Sequence, residues 1–229
     1  MKIVYEDNHI IIVAKQSGEI VQGDKTGDTP LSDLVKQYIK EKYQKPGEVF
    51  LGVCHRLDRP VAGLVVFART SKALARLNKM FAESEVHKTY WAIVPRTDEP
   101  QRSPSTPPAS QLLTHWLVRN EKQNKSYAYD REVPRSKKAQ LRYHVVSRAD
   151  RYMLLEVELL TGRHHQIRCQ LAKVGMPIKG DLKYGAPRSN PDGSISLLAR
   201  RVEFVHPVSK QLVVAEAPVP DDSLWQALV

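Results

Sequence analysis

Hydrophobic residues occur along this chain in short blocks, more of which have the length of a strand than of a helix. In residues 2–15, KIVYEDNHIIIVAK, two apolar runs flank Asp7-Asn8, a pair typical of turns, which predicts two strands joined by a tight turn. The same pattern predicts further strands near residues 50–53, 64–68, 87–94, 140–148, 152–160, 194–204 and 210–217.

Helical spacing of apolar residues is found in fewer segments. Residues 27–47 show it, with Thr29 as a candidate cap, and residues 70–84 show it behind Ser71. Two further helices are predicted over residues 162–175 and 222–229. Because strands outnumber helices and are often joined without a crossover helix, we expect an α+β fold with a mixed, largely antiparallel central sheet flanked by helices.

A proline-rich segment interrupts this pattern. Residues 95–110 hold five of the chain's 15 prolines, which predicts an exposed loop. Since nothing after the segment resembles the start of a new domain, we expect the loop to be an excursion within one domain that spans residues 1–229.

The charge balance favours an anionic partner. Lys and Arg number 35 against 25 Asp and Glu, a formal net charge of +10, and nucleic acid is the commonest biological polyanion. Residues 119–138 are mostly basic with Tyr127 and Tyr129 interleaved, a composition that suits an RNA-facing hairpin or loop and equally a solvated insertion. Two cysteines indicate a reducing, cytoplasmic location. No apolar run approaches the ~20 residues of a membrane span, and we expect a monomer.

One carboxylate stands out in the segment HRLDRPVAGL, residues 55–64. Asp58 lies between Arg56 and Arg59 with His55 nearby, directly before an apolar strand. Flanking positive charge favours the ionised acid, which can serve as a nucleophile or a base. A structural salt bridge explains this decapeptide equally simply, and from these residues alone it is the favoured interpretation.

Two other segments carry candidate chemistry. In residues 161–175, Arg168 lies at the edge of a predicted buried helical face, where a guanidinium needs a carboxylate such as Asp58. Arg163, His164 and His165 fall at the predicted helix start, where basic groups and free N–H groups suit a phosphate. In HKTYWAIV, Tyr90 and Trp91 point to opposite faces of a strand, so Tyr90 either enters a pocket or is a core aromatic.

Several other site types find no support in the sequence. Cys54 and His55, with His165 and Cys169, lack the usual spacing of zinc ligands, so we predict no metal site. A nucleophilic serine has no G-x-S-x-G support, and both the Walker loop and the Rossmann glycine fingerprint are missing from the sequence.

Three segments together resemble the signature segments of the RluA-type RNA pseudouridine synthases. They are, in chain order, HRLDRPVAGLVVFART, HKTYWAIV and LLTGRHHQIRCQLAKVGMPIKGDLKYG. Weaker likenesses at residues 31–40, in TSKALARLNKMF and in AQLRYHVV extend the resemblance over most of the chain. The resemblance implies the pseudouridine synthase fold and an isomerase that converts a uridine of ribosomal or transfer RNA to pseudouridine without cofactor or metal.

The resemblance also implies roles for particular residues. Asp58 is similar to the catalytic aspartate, Tyr90 to the tyrosine that stacks on the uracil, and Arg168 to the basic residue that pairs with the acid. Arg56 is similar to the arginine that fills the gap left by the flipped nucleotide, and Ile167 to a pocket wall. The remaining residues expected at the RNA interface are His55, Arg59, Lys88, Arg163, His164, His165 and Gln166.

The chain departs from the family pattern in two places. Val61-Ala62-Gly63 stands where the family often has Thr-Ser-Gly, which changes local hydrogen bonding without removing a reacting group. The chain also starts directly on the catalytic domain, and we expect no separate N-terminal RNA-binding module. Two alternatives remain: a non-catalytic RNA-binding protein on the same fold, and a hydrolytic glycosylase that releases free uracil.

Overall fold

The computed structural model describes residues 1–96 and 108–229. The predicted loop over residues 95–110 therefore lies largely outside the described residues. The described chain forms two compact units. The first unit comprises Met1–Lys88 and Ala199–Pro218, and the second comprises Thr89–Leu198 and Val219–Val229. The prediction that residues 1–229 form one catalytic domain stays a prediction.

Strands dominate the described residues, as expected. The strands are β1 (Lys2–Glu6), β2 (Ile10–Lys15), β3 (Gly52–Val53), β4 (Ala62–Ala68), β5 (His87–Pro95), β6 (Ser110–Asn120), β7 (Lys125–Tyr129), β8 (Lys137–Arg148), β9 (Tyr152–Leu159), β10 (Leu197–Val205) and β11 (Leu212–Glu216). The helices are α1 (Leu31–Lys42), α2 (Ser71–Ala82), α3 (Gln166–Lys173) and α4 (Ser223–Leu228), with a 3-10 turn at Leu182–Tyr184.

In the first unit the strand order is β1-β2-β4-β10, with β3 paired to β4 and β11 paired to β10. The predicted turn between β1 and β2 is held by Asp7, whose carboxylate accepts hydrogen bonds from the backbone N–H groups of His9 at 2.7 Å and Ile10 at 2.8 Å. Every residue of β2 is buried. This strand is therefore central to the core of the first unit.

The N-cap residues of the two helices of the first unit each lie one residue away from the predicted caps. Pro30, not Thr29, precedes α1, and no side chain caps it. Thr70, not Ser71, caps α2, since its hydroxyl accepts a hydrogen bond from the backbone N–H of Ala73 at 3.1 Å. Ser71 is instead the first helical residue.

The second unit contains the antiparallel series β5-β9-β8-β6-β7. Strand β6 was not among the predicted strands. It forms a hairpin with β7, and only the end of β6 and the whole of β7 lie inside the basic segment 119–138. Gln166 begins α3, four residues later than the predicted start, because His165 adopts a left-handed backbone conformation with φ of 52°.

The pairings within both units support the predicted fold class. The described strand pairs with a recorded register are antiparallel, and the helices are few and short. The α+β class with a mixed, largely antiparallel sheet flanked by helices is therefore confirmed. Among the described residues, no helix has the length and apolar character needed to cross a membrane.

Candidate active site

Asp58 lies on the loop that joins β3 to β4 in the first unit. The backbone turns directly after it, since the N–H of Val61 donates to the carbonyl oxygen of Asp58 at 3.0 Å. Leu57 is buried, while Arg56 and Arg59 on either side of the acid are exposed. The partly buried Asp58 carboxylate thus lies between a core residue and two exposed cations.

Lys15, which the sequence analysis missed, binds the backbone of this loop. Its side chain is only 1% exposed, and its ammonium donates to the carbonyl oxygens of Arg59 at 3.1 Å and Val61 at 2.6 Å. Burial lowers the pKa of Lys15 to about 8, and the negative charges of Glu19 and Asp58 partly offset this effect. A buried cation therefore fixes the backbone on the C-terminal side of Asp58.

His55 faces inward from the same loop. Its Nε2 accepts a hydrogen bond from the backbone N–H of Val66 at 2.9 Å, and its ring stacks on Phe81 with centroids 4.6 Å apart. Burial, helped by the charge of Lys88, lowers the pKa of His55 to about 3. The neutral ring therefore anchors the loop to β4, and the contact of partly buried His55 with RNA stays a prediction.

The other predicted RNA contacts of the first unit differ in exposure. Arg59 is exposed and pairs with Asp28 at 2.5 Å, so RNA would have to compete with this carboxylate. Lys88 is partly buried, its ammonium lies 5.5 Å from the centre of the Phe81 ring, and burial lowers its pKa. Of this group, exposed Arg56 is the residue best placed to meet a ligand from solvent.

Arg168 is buried near the start of α3 in the second unit, and its partner there is a carboxylate that the sequence analysis did not single out. Its Nε and Nη2 donate to the two carboxylate oxygens of Asp181 at 2.7 and 2.8 Å. Both side chains are almost fully buried. A bidentate pair of this kind fixes the plane of the guanidinium. The signal for Asp181 was present, because it is the lone acid in the quoted segment MPIKGDLKYG.

Three buried polar residues extend this arrangement. Nη1 of Arg168 lies 3.2 Å from Nε2 of His165, and since a guanidinium only donates, Nε2 accepts. The proton of the neutral His165 ring is then on Nδ1, which donates to the Tyr184 hydroxyl at 3.0 Å. That hydroxyl also accepts from the backbone N–H of Ser126 at 2.8 Å. The guanidinium is thus linked through His165 and Tyr184 to β7.

The remaining predicted site residues of the second unit differ in burial. Gln166 closes the loop before α3, accepting from the backbone N–H of Arg163 at 2.9 Å and donating to the carbonyl oxygen of Gln140 at 2.9 Å. His164 stacks on His165, Ile167 is buried, and Arg163 is exposed.

Tyr90 is 9% exposed and pairs with Val157 of β9. Asp58 belongs to the first unit, and Tyr90 and Arg168 belong to the second. Their convergence around one nucleotide stays a prediction.

The fold is similar to that of two solved human proteins. RNA Pseudouridylate Synthase Domain Containing 4 shares a TM-score of 0.77 at 22% sequence identity, covering 98% of this chain and 90% of that chain. RNA Pseudouridylate Synthase Domain Containing 1 gives a TM-score of 0.71 at 22% identity, covering 99% and 86%. The fold is therefore that of the pseudouridylate synthases.

The family follows from the sequence. Residues 9–173 match the family model described as RNA pseudouridylate synthase. The chain belongs to this family, and within it to the RluA type.

Three curated relatives illustrate the similarity. The uncharacterized RNA pseudouridine synthase YhcT of Bacillus subtilis is 32% identical over 97% of this chain and 70% of its own length. Ribosomal large subunit pseudouridine synthase D of Nitrosomonas europaea is 31% identical over 100% of this chain and 65% of its own length. The mitochondrial pseudouridylate synthase RPUSD4 of Xenopus tropicalis is 30% identical over 96% and 72%.

These findings establish the chain as an RNA pseudouridine synthase, an isomerase that converts uridine to pseudouridine in RNA. They give no support to a non-catalytic RNA-binding protein on the same fold.

Proposed function

We propose that Asp58 is the catalytic aspartate of the isomerisation and that Tyr90 and Arg168 complete the site. The observation that carries this proposal is the anchoring of the Asp58 loop by the buried Lys15 ammonium. A reacting carboxylate is most effective when its backbone is already held in place, since no reorganisation is then needed during the reaction. The bidentate hold of Asp181 on Arg168 prepares the guanidinium in the same way.

In the proposed mechanism the target uridine leaves the stack, which costs a few kcal/mol, and Arg56 fills the gap. Asp58 acts on the flipped nucleotide while the bond between C1′ and N1 breaks. The uracil stacks on Tyr90 as it turns, and C1′ then bonds to C5. The C5 proton is lost and N1 gains one, so the product is an isomer of the substrate and no cofactor is consumed.

We further propose ribosomal RNA of the large subunit as the substrate class, since relatives from several bacteria carry names that assign them this RNA. The expected monomeric state and cytoplasmic location stay predictions. The name of the Xenopus relative assigns that protein to mitochondria.

Replacement of the acid tests the assignment. We expect Asp58→Asn to abolish pseudouridine formation and to leave RNA affinity within about twofold of wild type, because the amide can neither act as a nucleophile nor take a proton. Asp28→Asn, which removes an exposed carboxylate paired with Arg59, is the matched control and should retain activity. The measurement is mapping of pseudouridine in ribosomal RNA from cells that carry the wild-type, variant or deleted gene. Normal product from Asp58→Asn would refute the role of this residue.

A further inference from the structure

The β6–β7 hairpin presents two tyrosines to solvent. Strand β7 stands last in the strand order of the second unit, and Tyr127 and Tyr129 on it are 39% and 41% exposed. Residues two apart on a strand project from the same face, so the two rings lie roughly 7 Å apart along it. Half-buried Trp116 pairs with Tyr129 across the hairpin, which widens the aromatic surface.

The opposite face of β7 is fastened to the rest of the second unit. The Ser126 hydroxyl donates to the carbonyl oxygen of His164 at 2.8 Å, and the Ser126 N–H donates to the Tyr184 hydroxyl at 2.8 Å. Ala128 packs on a cluster that includes Leu117 and Cys169. The two exposed tyrosines are therefore carried by a strand whose position is already fixed, so a ligand that stacks on them orders little of the protein.

A line of cations and rings connects this surface with Arg168. The guanidinium carbon of Arg168 lies 5.1 Å from the centre of the Tyr184 ring. The Lys125 ammonium lies 5.1 Å from the centre of the same ring and 5.6 Å from that of Tyr127. An RNA strand that is bound near Arg168 would therefore also contact the Lys125 ammonium and, beyond it, the exposed ring of Tyr127.

The charge of the hairpin and the following segment suits the same ligand. Residues 119–138 contain seven Lys or Arg against three Asp or Glu, and one of these acids, Asp130, is bound by Lys173 at 2.9 Å. Arg135 and Lys138 are exposed, and among residues 1–96 and 108–229 neither has a carboxylate within salt-bridge distance. Exposed rings beside cations match the faces of unpaired bases and the phosphates between them.

We propose that Tyr127 and Tyr129 form a stacking platform for unpaired nucleotides that flank the target uridine. The proposal rests on the proposed function for the identity of the RNA, and it adds a second, non-catalytic contact with single-stranded substrate. Each ring stacks on one base without reading its sequence, while Lys125 and the neighbouring exposed cations hold the backbone.

The test separates base stacking from phosphate binding. The probes are a fluorescein-labelled oligouridylate of about 12 nucleotides and an abasic strand of equal length and charge. Fluorescence anisotropy should show that wild type prefers oligouridylate and that Tyr127→Leu/Tyr129→Leu raises its Kd about ten- to a hundred-fold. Affinity for the abasic strand and the salt dependence of binding should stay unchanged, because no charge is lost.

Tyr127→Phe/Tyr129→Phe is the conservative control. It keeps both rings and loses only the hydroxyls, including the contact of Tyr127 with Gln123, so its preference for oligouridylate should survive. Thermal unfolding checks that both double variants are folded, and since both tyrosines are exposed, we expect midpoints close to that of wild type.

The outcomes are distinct from those of the proposed function. The platform is refuted if the leucine variant binds oligouridylate with the Kd of wild type, or if its Kd for the abasic strand rises as much as its Kd for oligouridylate. In both cases wild type still forms pseudouridine in ribosomal RNA. If the proposed function is wrong, wild type forms no pseudouridine in ribosomal RNA but still binds oligouridylate more tightly than the abasic strand.

Discussion

A histidine beside Arg56 suggests an RNA contact, and the hydrogen bond of His55 adds a structural role that the sequence did not predict. Its Nε2 accepts the N–H of Val66, which requires the neutral ring. His55 lies next to Arg56 in the sequence. Nothing in the sequence indicates that its ring accepts a hydrogen bond from Val66, eleven positions further on. Whether a polar side chain faces inward depends on such distant partners, and for the same reason Lys15 and Asp181 were missed.

The pH dependence of stability tests whether the ring of His55 is neutral in the folded protein. Its pKa is about 3 in the folded protein, below the ordinary value, so from pH 6.5 downward the unfolded chain takes up a proton that the folded chain does not. The contribution of His55 to stability is therefore present above pH 6.5 and is lost as the pH falls. Between pH 6.5 and 5.0, the difference in unfolding free energy between wild type and His55→Gln should shrink by about 1.6 kcal/mol.

Denaturant unfolding at a series of pH values measures this difference. His87→Gln serves as the control, because its side chain on β5 is exposed to solvent in the folded protein. A constant difference between wild type and His55→Gln over this range would mean that the ring of His55 is not held neutral in the folded protein.

At the scale of elements, β4 depends on a glycine five residues after Asp58. Gly63 has φ of +123°, and a Cβ added there would lie 2.4 Å from the carbonyl oxygen of Ala199 on β10. Because that neighbour is backbone, it cannot rotate away, and β4 and β10 are adjacent strands. We expect Gly63→Ala to lower the free energy of unfolding by at least about 3 kcal/mol through strain and clash together.

The matched control is Gly193→Ala. Gly193 also has positive φ, +72°, but a Cβ there would meet nothing within 4 Å, so only the backbone strain of about 1 kcal/mol should appear. Chemical denaturation of both variants makes the comparison. An equal decrease in the free energy of unfolding for the two variants would show that the close approach of β10 to Gly63 does not affect stability.

The elements that the sequence predicted well are those with strong local signals. The turn at Asp7-Asn8 and the strands on either side of it are confirmed, because the apolar blocks and the capping carboxylate lie within one short segment. The start of α3 was wrong by four residues, since the backbone of His165 turns left-handed within a network that includes Tyr184 of a later segment. Strand β6 was missed because apolar residues occur on both of its faces, with buried Leu113 and Leu117 on one and half-buried Trp116 on the other, so its sequence does not alternate between apolar and polar residues.

At the scale of the whole molecule, the resemblance to a family predicted the activity and the site residues, whereas the spacing of apolar residues predicted only the fold class. The α+β class follows from counting strands, but the candidate acid could not be separated from a salt bridge until three distant motifs were considered together. The structure adds local support for each half of the candidate site: a cation beneath the Asp58 loop and a carboxylate holding Arg168. Neither contact was predicted, because each joins separate segments of the chain, although Asp181 is the one acid in residues 176–185.

The 35 lysines and arginines are not equally available to RNA, because some of them are paired with carboxylates. Arg131 and Arg135 are exposed, and among the described residues they lack a carboxylate partner, whereas Arg201 and Lys79 pair with Glu203 and Glu83. Arg131→Gln/Arg135→Gln should lower the slope of log Kd against log salt by about 1.4, roughly 0.7 for each lost contact with a single-stranded phosphate.

The double variant Arg201→Gln/Lys79→Gln removes the same charge from cations that are already neutralised locally, so its slope should stay close to that of wild type. Anisotropy titrations of the labelled oligouridylate over a range of salt concentrations compare the two. If both double variants lower the slope equally, RNA senses only the total charge of the molecule. A reduction confined to the Arg131 and Arg135 variant would instead place the phosphate backbone along the segment that follows β7.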